Sequence, residues 1–316
     1  MTTIFYHRGC CDGHAALGLL LRALGGEPTL YSVPANLSNF PDLPDGKGTA
    51  YFVDCCPTEP MIEVLERAFF NIHILDHHLS SQAFCAAVAQ RPGWTVHHAM
   101  DRCATQIVRD VYALEGVDTL VDMTAKFDLW TEPSNDTFRW MLAASALWER
   151  ITGRSTTTPA LARAYIDELA SKSVADMNAD GERDMEMVYH EYNAASVHEL
   201  QLGEASEAWD GRALVLVLDS VSQPSILLHW LLRDHVEFKV AVGVWRKKFA
   251  DSFSCSLRSV DGFDITAHVP WARGHAQAAG GMIDADVFLT AHKLGEKTES
   301  SKRARVEDTV DRVENE

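Results

Sequence analysis

Short apolar segments that each end at a polar residue dominate the first 80 residues of the chain. Residues 3–7 (TIFYH), 29–33 (TLYSV) and 49–54 (TAYFVD) alternate with helical or loop segments, and residues 70–75 (FNIHIL) stop at Asp76. Strands this short and apolar, separated by helices, predict a mostly parallel sheet that is covered on both faces. Because ligands bind at the carboxyl ends of strands in open α/β sheets, we look for function among the polar residues there.

The rest of the chain predicts a helical stretch followed by a second α/β unit. Residues 103–199 have a helical pattern, with a weak spacer at residues 155–159 (STTTP) and a long polar helix over residues 175–200 as a connector. Strand signals then return at residues 212–219, 238–245 and 251–256, with an apolar helix between the first two. The predicted parts are an N-terminal domain (residues 1–155), a helical linker (156–205), a smaller C-terminal α/β domain (206–293) and a disordered or loosely helical tail (294–316).

Composition narrows the class of protein. A chain of 316 residues exceeds the usual size of one hydrophobic core, which favours two domains. We find no apolar run of about 18 residues and no secretory leader pattern, so we expect a cytoplasmic protein. Seven cysteines, four of them in adjacent pairs, fit reduced thiols better than a disulfide framework. The net charge of -17 opposes binding to long DNA or RNA, since that affinity comes largely from basic groups.

Acidic and histidine side chains recur at comparable places along the first unit. Carboxylates and imidazoles on neighbouring strand ends can share two divalent ions about 3.5 to 4 Å apart, an arrangement that hydrolyses phosphate esters. Any one of these residues alone is better explained as a strand-end cap or a solvated charge. The recurrence in register favours a two-metal site. The set consists of His7 with Asp12, then Asp54, then Asp76, His77 and His78, and finally Asp128.

The tripeptide at residues 76–78 resembles the signature of the DHH phosphoesterases, and five further motifs follow that family's order. The C-terminal pair is similar to the substrate-binding motifs of the glycine-rich DHH-associated domain of oligoribonuclease-like and cyclic-dinucleotide-hydrolysing members. The six motifs are YHRGCCDG (residues 6–13), VDCCP (53–57), DHH (76–78), FDLW (127–130), SLRS (256–259) and RGHAQAAG (273–280).

The resemblance implies a role for each matching residue. His7 and Asp54 would hold one metal, and Asp12, Asp54, His77 and Asp128 would hold the other, with Asp54 as the bridging carboxylate. His78 would face the scissile phosphate as a hydrogen-bond donor or general acid, and Asp76 would orient a ligand histidine. The resemblance implies Mn²⁺ as the ion, which oxygen-rich ligation with imidazoles suits. Substrate contacts would come from Arg258, Arg273, Gly274 and His275.

Two positions depart from the family pattern. Cys10 stands where most members have an Asp, and a thiolate would favour zinc or iron at the first metal site if it binds at all. The alternative is that Cys10 and Cys11 are small residues that tighten a turn. A four-thiolate zinc site formed with Cys55 and Cys56 is a further alternative, although adjacent cysteines lack the usual ligand spacing. Arg273 replaces a glycine, which would narrow the pocket and add a positive charge.

These features predict a metal-dependent phosphoesterase that acts on a short oligonucleotide or small nucleotide, in which the N-terminal domain cleaves and the C-terminal domain binds. A pyrophosphatase or polyphosphatase-type phosphohydrolase is the enzymatic alternative. A nucleotide-binding regulator with an impaired site is the alternative from another class, motivated by Cys10. The sequence leaves the oligomeric state open, with a homodimer as one option. We expect His97 and His98, which precede a predicted helix, to be structural.

Overall fold

The computed structural model describes residues 1–37, 43, 48–153, 157–218, 223–246, 252–274 and 277–284. Two 3-10 turns, Glu59–Met61 and Leu79–Ser81, accompany the regular elements. The strands are β1 (Thr2–His7), β2 (Thr29–Val33), β3 (Asn36–Leu37), β4 (Gly48–Val53), β5 (Cys56–Pro57), β6 (Phe69–Asp76), β7 (Trp94–His98), β8 (Ser196–Gln201), β9 (Arg212–Val217), β10 (Val240–Arg246), β11 (Ser252–Ser259), β12 (Arg273–Gly274) and β13 (Ala278–Asp284). The helices are α1 (Cys11–Leu24), α2 (Ile62–Ala68), α3 (Gln82–Val88), α4 (Ala104–Tyr112), α5 (Asp118–Asp128), α6 (Asn135–Thr152), α7 (Pro159–Ser171), α8 (Val174–Ala194), α9 (Pro224–Asp234) and α10 (Ile265–His268).

The first sheet is parallel throughout and has the order β2-β1-β4-β6-β7. The chain passes from β1 to β2 on one side and then returns to place β4 on the other side of β1. This reversal makes the carboxyl ends of β1 and β4 a topological switch point, where open α/β sheets form their binding crevice. The carboxyl edge therefore brings His7, at the end of β1, next to Asp54, which follows β4.

Helices cover both faces of this sheet. One face packs against α1 and α4 to α7, where Leu17, Trp140 and Tyr165 are fully buried. The opposite face packs against α2 and α3 through Leu65 and Cys85. Ile4 and Phe5 of β1 are consecutive and point into different cores, which explains why the middle of this strand is apolar on both faces.

The second sheet has the order β12-β13-β11-β10-β9-β8 and is mixed, because only the β9 and β10 pair is parallel. Helix α9 packs on one face of this sheet and forms a buried apolar cluster with it. The cluster also contains Trp130 and Phe138 from the first half of the chain and Val188 from α8. The second sheet and its helix are thus docked onto α6 and α8 by a continuous apolar contact.

The predicted bound of one helix was wrong, and another helix begins inside the first motif. Helix α1 begins at Cys11, because Cys10 adopts an extended backbone and the Asp12 carboxylate suits a helix N-terminus. The predicted helix over residues 175–200 ends at Ala194, and the chain then forms β8 as an antiparallel edge strand on β9. His97 and His98 do precede a helix, α4, and they lie in the edge strand β7, which pairs with β6.

The predicted fold class is confirmed: a parallel α/β unit is followed by helices and a second α/β unit. Helix α7 contributes Ala162 and Ile166 to the same core as α1, so the predicted linker also covers the first sheet. The domain boundaries stay a prediction, and the predicted tail at residues 294–316 lies outside the described residues. None of the helices in the described part of the chain is both long and apolar enough to cross a membrane.

Candidate metal centre

Asp54 stands at the centre of the carboxyl edge of the first sheet. It follows β4 with a backbone φ of 56°, in the left-handed region that Asp tolerates better than most residues. Its two carboxylate oxygens point to different partners: Oδ2 lies 3.0 Å from His7 Nδ1, and Oδ1 lies 3.1 Å from His77 Nε2. Its side chain is buried, and its amide donates to the Leu75 carbonyl of β6. The left-handed backbone at Asp54 therefore places its carboxylate between His7, at the end of β1, and His77, which follows β6.

Six side chains with metal-binding atoms form two adjacent groups. In each group, one potential ligand atom per residue lies within 4.8 Å of the others. The His77 Nε2 atom is 3.3 Å from Asp128 Oδ2 and 3.7 Å from Asp12 Oδ2. Asp54 contacts a histidine in each group and so links them. The first group is His7, Asp54 and His78, and the second is Asp12, His77 and Asp128.

Asp12 is held in place from outside its own helix. Its Oδ2 accepts from the Ala104 amide at 2.7 Å and its Oδ1 from the Thr105 amide at 2.8 Å. These amides are the first two of α4, where the helix leaves its N–H groups without intrahelical acceptors. One carboxylate thus caps α4 and also lies 3.7 Å from His77, which ties the geometry of the second group to the packing of α1 against α4.

The residues that follow β6 form a second hydrogen-bonded network. His78 Nδ1 lies 2.7 Å from Asp76 Oδ1, and the Ser81 hydroxyl donates to Asp76 Oδ2 at 2.5 Å. The His98 Nε2 atom of β7 lies 3.0 Å from the His78 carbonyl oxygen. Asp76 is fully buried, so it orients His78 without solvent competition. The orienting role predicted for Asp76 toward a ligand histidine stays a prediction, and the histidine that Asp76 contacts is His78.

Burial and mutual contacts shift the pKa values of several side chains in the two groups. Burial raises the pKa of Asp54, but hydrogen bonds from His7 and His77 outweigh it and hold the pKa below its usual range. Burial raises the pKa of Asp128 to about 7. Burial lowers the pKa of His77, but Asp128 and Asp54 reverse this and raise it to about 10. Four buried or partly buried acidic and imidazole side chains thus share one small region, and a divalent cation would balance the charge of the carboxylates there.

The donor set fits hard divalent ions. The second group offers two carboxylates and one imidazole, with the linking carboxylate of Asp54 beside it, a combination that suits Mn²⁺ and related ions. Among the described residues, neither group contains a cysteine. The predicted alternative of a four-thiolate zinc site gains no support, because Cys56 and Cys85 contact each other on the opposite face of the sheet from Cys11.

Cys10 lies at the rim of the second group. Its Sγ is 4.0 Å from Asp128 Oδ1. Burial, together with the neighbouring carboxylates of Asp54 and Asp128, raises the pKa of this thiol well above its usual value, so it is protonated in the metal-free protein. The neighbouring Cys11 turns to Ser145 of α6, with 2.9 Å between sulfur and oxygen. Whether Cys10 is a ligand or a packing residue stays a prediction.

Two of the predicted substrate-binding segments of the second sheet contact chain segments next to the candidate ligands. Arg258 on β11 has its guanidinium carbon 4.7 Å from the ring centre of Trp130, two residues after Asp128. The short strand β12, which contains Arg273 and Gly274, lies against the 3-10 turn that follows His78. His275 lies outside the described residues. The two halves of the predicted site therefore share one region of the molecule.

Several residues in this region were not predicted from the sequence. Ser81 and His98 hold the loop after β6, Thr105 anchors Asp12, and Trp130 lies under Arg258. Gly13 allows helix α1 to approach the end of β1, since a Cβ atom there would lie 2.4 Å from the His7 carbonyl oxygen. Of these, only Gly13 and Trp130 carried a signal, because both belong to the motifs that resemble the DHH family.

No protein-family profile and no curated protein matches this sequence. A comparison with solved structures finds distant similarities. A pGpG-specific phosphodiesterase, PggH from Vibrio cholerae, is 12% identical with a TM-score of 0.47, covering 92% of this chain and 96% of that chain. An uncharacterized protein from Helicobacter pylori G27 is 16% identical with a TM-score of 0.35, covering 90% and 93%. A putative family II inorganic pyrophosphatase from Methanococcus jannaschii is 10% identical with a TM-score of 0.29, covering 90% and 94%. These scores are too low to assign an activity.

Proposed function

We propose that this chain is a metal-dependent phosphoesterase of the DHH type that hydrolyses a short oligonucleotide or a small nucleotide. The observation that carries the proposal is the position of Asp54, whose two oxygens contact histidines in two different candidate ligand groups. One carboxylate that links two groups of acidic and imidazole side chains is the arrangement expected of a two-metal hydrolase. A buried carboxylate in a strained backbone conformation is also costly to keep, which favours a functional reason for it.

His7 and Asp54 would hold one ion, with His78 beside it, and Asp12, Asp54, His77 and Asp128 would hold the other. Two divalent ions, when bound, lower the pKa of water and neutralise charge on a phosphate ester. The protein supplies the rest. The Asp76 contact at 2.7 Å occupies His78 Nδ1, so proton donation to the leaving oxygen would come from Nε2 of the same ring. Asp76, itself held by Ser81, keeps that ring in orientation.

Arg258 would bind a substrate phosphate. Its side chain is only partly exposed, and its Nη1 donates to the Leu257 carbonyl at 2.8 Å and its Nη2 to the Ser225 hydroxyl. Burial lowers the pKa of Arg258 to about 10, partly offset by Asp128, so the guanidinium stays charged at neutral pH. A buried cation beside an acidic metal centre provides a point of attachment for an anionic substrate.

The substrate is expected to be small. A net charge of -17 repels an extended polyanion, because long-strand binding depends on many basic contacts. A few buried donors and two ions can still bind a dinucleotide or a mononucleotide phosphate, for which local contacts outweigh the field of the whole protein. Manganese is our choice of ion for the first assay, on the basis of the carboxylate and imidazole donors.

The test is an activity panel with Mn²⁺ on purified protein, using linear dinucleotides, an adenosine bisphosphate, a cyclic dinucleotide and pyrophosphate. Hydrolysis of a nucleotide substrate supports the proposal. Cleavage of pyrophosphate alone would replace it with the pyrophosphatase alternative. Nucleotide binding without hydrolysis of any substrate, at full metal occupancy, would replace it with the regulator.

The decisive substitution is Asp54→Ala, which should abolish hydrolysis because no neighbour can take over contacts to both groups. Asp54→Asn is the companion, since Asn also tolerates the left-handed backbone and so separates the lost charge from backbone strain. Asp118→Asn, at a side chain that is 85% exposed, is the matched control and should leave activity unchanged. Activity within a few fold of wild type in Asp54→Ala, with two ions still bound, would contradict the two-metal site.

A further inference from the structure

Arg258 and Trp130 come from opposite halves of the molecule. Trp130 follows helix α5 of the first unit, and Arg258 lies on β11 of the second sheet. The guanidinium carbon is 4.7 Å from the Trp130 ring centre, within the range of a cation–π contact. Ser225, at the start of α9, accepts a hydrogen bond from the same guanidinium. The cation is thus held from its own unit by hydrogen bonds and from the other unit by a ring face.

Trp130 is itself tightly fixed. It is 4% exposed, and its ring contacts those of Phe127, Phe138 and His229 at centroid distances of 5.5, 5.8 and 5.8 Å. Its backbone φ is 57°, a left-handed conformation that a bulky residue rarely adopts. Backbone strain of this kind persists where the surrounding structure requires the side chain in one place. Here it turns the ring of Trp130 under the guanidinium of the other unit.

The contact between Arg258 and Trp130 connects the proposed substrate-binding residue to the candidate metal centre. Asp128 is two residues before Trp130, and its carboxylate belongs to the second ligand group. A guanidinium that rests on Trp130 is therefore positioned relative to Asp128 by a short and rigid piece of chain. The Nε atom of Arg258 is buried with no hydrogen-bond partner among the described residues, so the orientation of the guanidinium depends more on the ring face of Trp130 and on the Nη contacts with Leu257, Ser225 and Ser256.

We propose that Trp130 is a positioning residue that aligns Arg258 with the metal centre and, by the same contact, latches the second sheet onto the first unit. This inference rests on the proposed function for its catalytic consequence, but the latch itself is a property of the folded chain. Trp130 acts through Arg258 and does not touch the reacting atoms. A change at Trp130 should therefore matter for substrate binding only while Arg258 is present.

The kinetic test is a double-mutant cycle of Trp130→Leu and Arg258→Ala on the best nucleotide substrate. Trp130→Leu alone should raise KM roughly five- to thirtyfold, the range of a desolvated cation–π contact, with a smaller effect on kcat. In the Arg258→Ala background the same change should alter KM by no more than about twofold. Trp130→Phe, which keeps an aromatic face, should recover part of the loss. Equal effects of Trp130→Leu in both backgrounds would overturn the proposal.

The matched control is Trp230→Leu. Trp230 lies in the same buried cluster, is 3% exposed, and contacts the rings of Tyr189 and Tyr192. The Trp230→Leu substitution removes a tryptophan from the same core and keeps the Trp130 ring that contacts Arg258. Its effect on KM should be within about twofold of wild type. A rise in KM as large as that of Trp130→Leu would show that general loosening of this core explains the effect, and would overturn the positioning role.

A second cycle, without any substrate, separates failure of the latch from failure of the proposed function. Urea midpoints are measured for wild type, Trp130→Leu, Arg258→Ala and the double variant. If the latch exists, the double variant should shift by less than the sum of the two single shifts, since each single change removes the same contact. Additive shifts would overturn the latch whatever the activity assays show. Non-additive shifts in a protein that hydrolyses nothing would keep the latch and reject the phosphoesterase.

Discussion

Gly13 provides a test of whether the ligand geometry depends on the close approach of α1 to β1. In the structure, a Cβ atom added at this position would lie 2.4 Å from the His7 carbonyl oxygen, 3.0 Å from His7 Cβ and 3.1 Å from Asp54 Oδ2. Real Cβ contacts are essentially never shorter than 3.0 Å. The Gly13→Ala protein must therefore move the end of β1 away from α1 by at least about 0.6 Å at the closest contact.

The size of the effect follows from which atoms must move. His7 and Asp54 belong to one ligand group, and both face the added methyl group. A misplacement of about 1 Å in a catalytic constellation can cost about a hundredfold in rate, so a shift of this order predicts a loss of roughly ten- to a hundredfold in kcat/KM. Stability should suffer less than activity, because alanine is favoured over glycine in a helix by about 1 kcal/mol, which offsets part of the strain.

Gly18→Ala is the control for this substitution. Gly18 lies in the same helix, and its added Cβ would meet the Ile166 Cβ of α7 at 2.6 Å, in the core and not among the ligands. Both variants gain the same helix propensity and introduce one clash. We expect Gly18→Ala to lower the urea midpoint with kcat/KM of the folded protein close to wild type.

Steady-state kinetics with Mn²⁺, together with metal analysis after identical loading, makes the comparison. Gly13→Ala should lose activity and hold the ion at His7 and Asp54 more weakly. Wild-type kcat/KM in Gly13→Ala, with two ions bound, would contradict the prediction. An equal loss of activity in Gly18→Ala and Gly13→Ala would contradict it as well.

Two further predictions concern residues beside the ligands. If Cys10 is a ligand, Cys10→Asp should move metal preference from softer ions towards Mn²⁺ and Cys10→Ser should weaken binding, whereas unchanged metal content in both would identify a packing residue. His14 is stacked on Trp148 at 3.9 Å, and burial lowers its pKa to about 3. Because the folded protein holds His14 neutral, the free energy of unfolding is highest above the unfolded-state pKa of histidine and decreases as the pH falls below it. In urea titrations with a chelator, the free energy of unfolding of wild type should fall by about 2 kcal/mol more than that of His14→Phe between about pH 7.5 and pH 5. Parallel pH curves for the two proteins would contradict this.

Much of the first unit could be predicted from local pattern. The segments that became β1, β2, β4 and β6 were predicted to within about one residue, because each is short, largely apolar and bounded by turn or helix residues. A parallel sheet places strand ends at one edge, so the proximity of His7, Asp54 and His77 follows from the order of strands and helices.

Elements whose local signal was weak were mispredicted. Residues 196–201 (SVHELQ) continue the polar composition of α8, and their strand conformation comes from pairing with β9. The edge strand β7 likewise carries the polar residues His97 and His98 because only one of its sides is paired within the first sheet. In both cases a non-local hydrogen-bonded partner outweighs intrinsic preference, which no window of sequence contains.

The candidate ligands belong to short motifs, and the sequence by itself determined them and the parallel sheet that collects them. Tertiary structure alone decided how Asp12 is held by the amides of α4 and how Arg258 is held by the ring of Trp130, more than 100 residues earlier in the chain. The physical reason is range. Strand and helix patterns arise between neighbours in the chain, whereas the position of a ligand to within a fraction of an ångström depends on side chains that meet only after the elements have packed.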